Sequence, residues 1–156
     1  MNKKIILGII GAVVLIGGFL ILKDTSGGKG SSVSASELVI PKSEVTETAK
    51  FYPYKVGNTN MEVMAVKAQD GSIRTALNTC QVCYDSGKGY YEQQGNELVC
   101  QNCRNKFKIE QIEKEKGGCN PVPIMKENKQ EDGEKITISK EFLSQSKHYF
   151  ENWKKL

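Results

Sequence analysis

The sequence has 156 residues, five of them cysteine, and a formal net charge of +4. Residues 50–156 carry 17 basic and 14 acidic side chains, with no basic stripe interleaved with aromatics, which excludes a nucleic-acid footprint. About 105 residues remain beyond an apolar N-terminus and a linker, enough for one small domain whose core gains from a metal or disulfide staple.

Ile5 to Leu22 is a run of 18 residues without charge, with Lys3 and Lys4 before it and Lys23 after it. As a helix it spans roughly 27 Å, close to the hydrocarbon core of about 30 Å. A cleaved secretory signal is the alternative, but its apolar region covers only about 7–15 residues and ends at small residues. The expectation is a retained single-pass anchor over residues 1–23, in the cell membrane. Lys3 and Lys4 favour a cytoplasmic N-terminus and an extracytoplasmic remainder. From residue 24 to residue 50 the chain turns to Gly, Ser, Thr and charge, as in Gly27-Gly28-Lys29-Gly30-Ser31-Ser32. This stretch reads as a flexible linker.

Residues 51–156 read as an α+β domain, strand-rich around its cysteines and closed by a C-terminal helix. Met61–Lys67 and Ser72–Leu77 flank Gln69-Asp70-Gly71, a turn signal for a hairpin. A second hairpin joins Gly89–Glu92 to Glu97–Val99 through Gln94-Gly95-Asn96. Phe107–Lys116 is ambiguous between strand and short helix, and Gly117-Gly118 ends it. Lys126–Glu134 reads as a charged loop and Lys135–Ile138 as a strand. Ser139 is placed to cap a last helix, on which Phe142, Leu143, Tyr149, Phe150 and Trp153 form one apolar stripe.

The cysteines fall in Cys80-Gln81-Val82-Cys83, Cys100-Gln101-Asn102-Cys103 and Gly117-Gly118-Cys119-Asn120-Pro121. Sixteen residues separate the two pairs, which fits the spacing of a tetrathiolate metal site. Two sulfurs two residues apart in a tight turn converge on one ion, and a hairpin brings the second turn opposite the first. Neither pair is followed by the glycine typical of a zinc knuckle; Tyr84 and Arg104 stand there. Two structural disulfides are the competing reading, natural for an exported domain, and thiol–disulfide exchange is the third. Disulfides leave one of five thiols over. Cys119 is a fifth sulfur on a pliable Gly-Gly segment, suited to lie beside a metal as an exchanging or redox-active thiol, or to pack as a small apolar residue. Soft thiolates suit zinc, cuprous copper and iron–sulfur clusters about equally.

His148 is the single histidine and reads as a surface residue rather than a ligand. Met61 and Met64 point to opposite faces of a strand, so core packing is the better reading than a thioether site. Arg104, Lys106 and Lys108 follow the second pair and either lower thiol pKa values or line a solvated face. Phe51-Tyr52-Pro53-Tyr54 reads as packing. No P-loop, H-E-x-x-H or G-x-S-x-G motif occurs, so no hydrolytic or phosphoryl-transfer enzyme is expected.

Over roughly Phe51 to Ile124 the sequence resembles the FtrD-like membrane iron–sulfur proteins. The resemblance lies in Phe51-Tyr52-Pro53-Tyr54, Asp70-Gly71, Cys80 and Cys83, Tyr90, Leu98-Val99-Cys100, Cys103 and the Gly117–Pro121 segment. It implies a membrane protein with a metal or iron–sulfur centre held by Cys80, Cys83, Cys100, Cys103 and Cys119. It also implies an accessory of iron uptake that handles electrons or metal beside a membrane permease or redox partner. In some relatives the domain follows many membrane spans, whereas this sequence offers one. The competing class is a non-redox interaction domain with structural zinc on four cysteines.

Overall fold

In the computed structural model, which describes residues 36–155, ten strands form in chain order. They are β1 (Leu38–Pro41), β2 (Lys50–Val56), β3 (Thr59–Lys67), β4 (Ile73–Cys80), β5 (Tyr91–Gln94), β6 (Glu97–Cys100), β7 (Lys106–Lys108), β8 (Pro121–Pro123), β9 (Lys129–Glu131) and β10 (Lys135–Ile138). One short helix, α1 (Lys140–Gln145), follows and tightens into a 3-10 turn over Ser146–Phe150. The strand-rich domain with one C-terminal helix therefore matches the sequence reading. The apolar run at residues 5–22 lies outside the described residues, among which no helix is long and apolar enough to cross a membrane.

The centre is an antiparallel sheet in the order β2-β3-β4-β8. Its β3–β4 hairpin turns at Asp70-Gly71, where the Ala68 amide bonds the Ser72 carbonyl at 2.8 Å and Gly71 adopts φ +81°. Asp70 accepts from the Ser72 hydroxyl and amide and from Arg74, and the hydroxyl contact leads in lowering its pKa to about 2. Both edge strands carry proline (Pro53, and Pro121 with Pro123), where a missing amide costs no ladder bond.

Alternation along β3 decides which residues face which core. Met61, Val63 and Ala65 belong to one buried cluster, Met64 and Val66 to another. The first face is covered by the sheet β1-β10-β9 and by α1, through Ile40, Ile136, Ile138, Leu143 and Phe150. The second is covered by the sheet β5-β6-β7, through Tyr91, Leu98 and Phe107, and this core contains Cys80, Cys83 and Cys100. A sheet covered on both faces explains why Val63–Val66 of β3 and Thr75–Cys80 of β4 are buried without a break.

Two segments differ from the sequence reading. Residues 38–41, expected within the linker, form β1 and pair with β10 from Leu38↔Ile138 to Pro41↔Lys135. Residues 129–131, expected in a loop, form β9 on the other side of β10. The ambiguous stretch after Phe107 resolves into β7 and a 3-10 turn at Ile109–Gln111. Ser139 caps α1 as expected, its hydroxyl accepting from the Phe142 amide at 3.2 Å. The apolar stripe packs as core: Leu143 and Phe150 are buried, and Phe142, Tyr149 and Trp153 lean on the same cluster.

Candidate metal centre

The first cysteine pair hangs from the end of β4. A register shift between Leu77 and Cys80 bends the strand there, as bulges beside functional sites commonly do. The chain then curls so that the Cys83 amide points at the Cys80 sulfur, 3.4 Å away. Gly89 passes directly over this turn. A Cβ on it would lie 2.8 Å from the Cys83 carbonyl oxygen, and its own carbonyl accepts from the Cys80 amide at 2.7 Å. Only glycine permits that approach.

The second pair hangs from the end of β6. The Arg104 amide bonds the Cys100 carbonyl at 2.9 Å, and Arg104 takes φ +64°, the left-handed position that a glycine fills more easily. Because Tyr91 on β5 stands opposite Cys100, the hairpin carries the second turn back to the first. The sequence expected this from the spacing.

The Cys119 loop is brought in by residues that sequence reasoning missed. Gln81, inside the first pair, accepts from the Gly117 amide at 3.0 Å, and its side-chain amide donates to the Pro121 carbonyl at 3.1 Å. Its backbone amide bonds the Asn120 carbonyl at 3.0 Å. The Cys119 carbonyl itself receives the Tyr91 hydroxyl at 2.8 Å and the Asn105 side chain at 3.0 Å. Gly117 and Gly118 both hold positive φ, which lets the loop bend to meet these donors. Tyr91 is fully buried, and burial first, then the neighbouring Cys80, raises its pKa, so it stays a donor. Its contact with Cys119 is tertiary and leaves no local signal.

Together these elements place five free thiols in one group. The sulfurs of Cys80, Cys83 and Cys119 lie within 4.8 Å of one another, as do those of Cys83, Cys100 and Cys103. Cys83 belongs to both triads. A tetrahedral ion with bonds of about 2.3 Å sets its sulfurs about 3.8 Å apart, so the triads are near the spacing a single ion imposes. Iron–sulfur clusters are likewise held by four cysteine thiolates, and this donor set supplies four with one to spare. The soft, all-sulfur donors fit either group.

The group grades from the interior to the surface. Cys80, Cys83 and Cys100 are buried, Cys119 is half-buried and Cys103 is exposed. Burial pushes the Cys100 thiol up to about 12 and raises Cys83 as well. A hydrogen bond with Cys103, followed by burial, brings Cys119 up to about 12. Burial also acts upward on Cys103, but the Asn105 amide and the thiols of Cys119, Cys83 and Cys100 outweigh it and hold that sulfur below its usual value. Thiols bind metal as thiolates, so a metal held here would displace their protons.

The other sequence candidates stand apart. His148 is exposed, bonds the Gln145 carbonyl at 3.0 Å and stacks on Tyr149. Lys106 pairs with Glu97 at 3.3 Å, and Arg104 donates to Gln101 at 2.7 Å. Met64 packs in the core beside the cysteines and Met61 in the opposite one, as the strand period requires. Phe51 leans on the cysteine-side core, with the Lys155 ammonium 4.0 Å from its ring centre.

Neither a curated protein nor a solved structure matches the sequence. The family model described as "Membrane iron-sulfur containing protein FtrD-like" matches residues 44–150, from the turn after β1 to the end of the last 3-10 turn. That span takes in all five thiols and more than two thirds of the chain, which therefore belongs to the FtrD-like family of membrane iron–sulfur containing proteins.

Proposed function

We propose that the protein binds a metal ion or iron–sulfur cluster at the outer face of the cell membrane and serves iron uptake as an electron- or metal-handling accessory. The observation that carries this reading is the convergence of five thiols on Cys83. Cys80, Cys83, Cys100 and Cys103 hold the group, and Cys119 stands beside it as an exchanging or redox-active sulfur. An iron centre there supplies one-electron chemistry. Buried Cys80 and Cys100 keep water from one side, while exposed Cys103 leaves the other open to a membrane permease or redox partner. Residues 1–23 anchor the chain, and the Gly- and Ser-rich stretch from residue 24 to the start of β1 tethers the domain. This topology is supported by the uncharged run at 5–22 and by a family described as membrane.

The second reading, structural zinc in a non-redox interaction domain, is favoured by the close sulfur spacing. Metal analysis and an absorption spectrum decide between them, on protein isolated without oxygen from its own host. Iron with a visible band that bleaches on reduction is the expected result; colourless protein with one zinc overturns the redox reading.

Two further outcomes are expected. Cys119→Ser keeps the fold and most of the metal but shifts the absorption spectrum or the reduction potential, because four thiolates remain to hold the group. Identical spectrum and potential would make Cys119 a packing residue. In intact cells the domain is cleaved by external protease and stays with membranes after a high-salt wash. Protection until the cells are lysed would contradict the proposed topology.

A further inference from the structure

A second feature of the domain lies away from the thiols. Between the β3–β4 turn and β9 runs a cleft of about 490 Å³, lined by Lys42, Lys67, Arg74, Glu113, Lys126 and Glu131. An adjoining hollow shares Lys42, Lys126 and Glu131 and adds Lys129. The walls thus offer five cations against two carboxylates.

Both carboxylates are already engaged. Glu131 pairs with Lys42 at 2.8 Å and Glu113 with Lys129 at 2.6 Å. Lys67 and Lys126 have no ion pair among the described residues. Arg74 meets exposed Asp70 with one terminal nitrogen at 2.9 Å. Its Nε is buried and has no hydrogen-bond partner among the described residues. A buried guanidinium nitrogen without an acceptor is a rare feature, and since it is closed to solvent, Arg74 has its terminal nitrogens to offer the cleft.

The floor of the cleft is fixed. Glu113 sits at φ +66°, a conformation that costs a non-glycine residue energy and persists only when its surroundings hold it. Here the Thr75 amide and hydroxyl, each 2.7 Å from its carboxylate, do so together with Lys129. The fixed floor holds the shape of the cleft, and the exposed Lys67 and Lys126, which have no ion pair among the described residues, are free to turn to an anion in it. The volume is that of a small-molecule site.

We propose that this cleft binds a small anion carrying two or more carboxylate or phosphate groups, with Lys67, Lys126 and Arg74 as its cations. Lysine ammoniums meet such groups as point charges, and the arginine contributes directed N–H donors. Arg74 lies on β4 six residues before Cys80, about 20 Å along the strand, so the site is separate from the thiol group and does not rest on its metal.

The test titrates the full chain in detergent with citrate and, separately, with inorganic pyrophosphate, by calorimetry at low ionic strength. Saturable one-to-one binding tighter than about 1 mM to at least one of them is expected, weakening as salt is added. Binding of citrate alone assigns the carboxylate class, and binding of pyrophosphate alone assigns the other. Lys67→Glu with Lys126→Glu weakens that binding by about tenfold or more, while thermal melting and thiol titre stay unchanged. Both lysines are exposed, so the fold tolerates the changes. Arg74→Lys, which keeps the charge and loses the directed donors, gives a smaller loss. Absence of saturable binding of either anion, or equal affinity in wild type and the double variant, overturns the proposal.

Discussion

Cys83→Ser strips the centre of most of its metal and lowers its melting temperature, and it does so more severely than Cys103→Ser. Cys83 is the sulfur common to both triads, so its loss leaves neither intact. Cys103 belongs to one triad and is exposed, so water can occupy the vacated position. At free metal about a thousandfold above its dissociation constant, binding stabilises the folded state by about 4 kcal/mol, and the variant forgoes most of this. Cys83 also packs in the core of its layer, so serine carries a cost of its own even without metal. Melting wild type and variant after metal removal isolates that cost, and the difference with metal present gives the contribution of the site. Equal metal content in wild type and Cys83→Ser would refute the shared-sulfur centre. A Cys103→Ser variant that loses as much metal as Cys83→Ser would remove the distinction between the two sulfurs.

The sequence reveals those parts of the molecule whose cause is local. Asp70-Gly71 and Gly95-Asn96 mark turns by their own conformational preferences, and both hairpins form there. The C-x-x-C spacing makes two sulfurs converge, and the hairpin between the pairs delivers the second turn to the first. β1 escapes because its four residues are ordered by β10, about a hundred positions away in the chain. β9 escapes because Lys129-Gln130-Glu131 has the composition of a loop and gains its strand form from the same partner. Around the centre, Gln81, Tyr91 and Asn105 act on the Cys119 loop from other segments, across separations that no spacing rule covers. Gly89 is needed for a steric approach that exists only in the folded chain.

Glu113→Ala costs about 3–5 kcal/mol of stability, as does removal of one partner from other buried ion pairs. The Lys129 side chain is 4% exposed and that of Glu113 is 11% exposed, so both charges are largely withdrawn from water. One Glu113 oxygen accepts from Lys129 at 2.6 Å and from both the amide and the hydroxyl of Thr75 at 2.7 Å. Alanine leaves the ammonium and the Thr75 amide without this acceptor; the Thr75 hydroxyl, 3.0 Å from Lys129, offers the ammonium a weak substitute. Such a loss is a large fraction of the roughly 5–15 kcal/mol that holds a domain folded. Alanine also inherits the left-handed backbone at this position, so no relief of strain offsets the deficit. Glu113→Gln keeps an acceptor for Thr75 while removing the charge and falls between alanine and wild type. Lys129→Met is milder than Glu113→Ala, because the carboxylate retains its two Thr75 donors. Urea unfolding of the three variants gives the order, with a shift of midpoint at unchanged slope. If Glu113→Ala unfolds within about 1 kcal/mol of wild type, the pair is hydrated in solution and contributes no more than a surface ion pair. The rigid floor assigned to the cation-lined cleft would then fail with it, since the same carboxylate holds the Glu113 backbone in place.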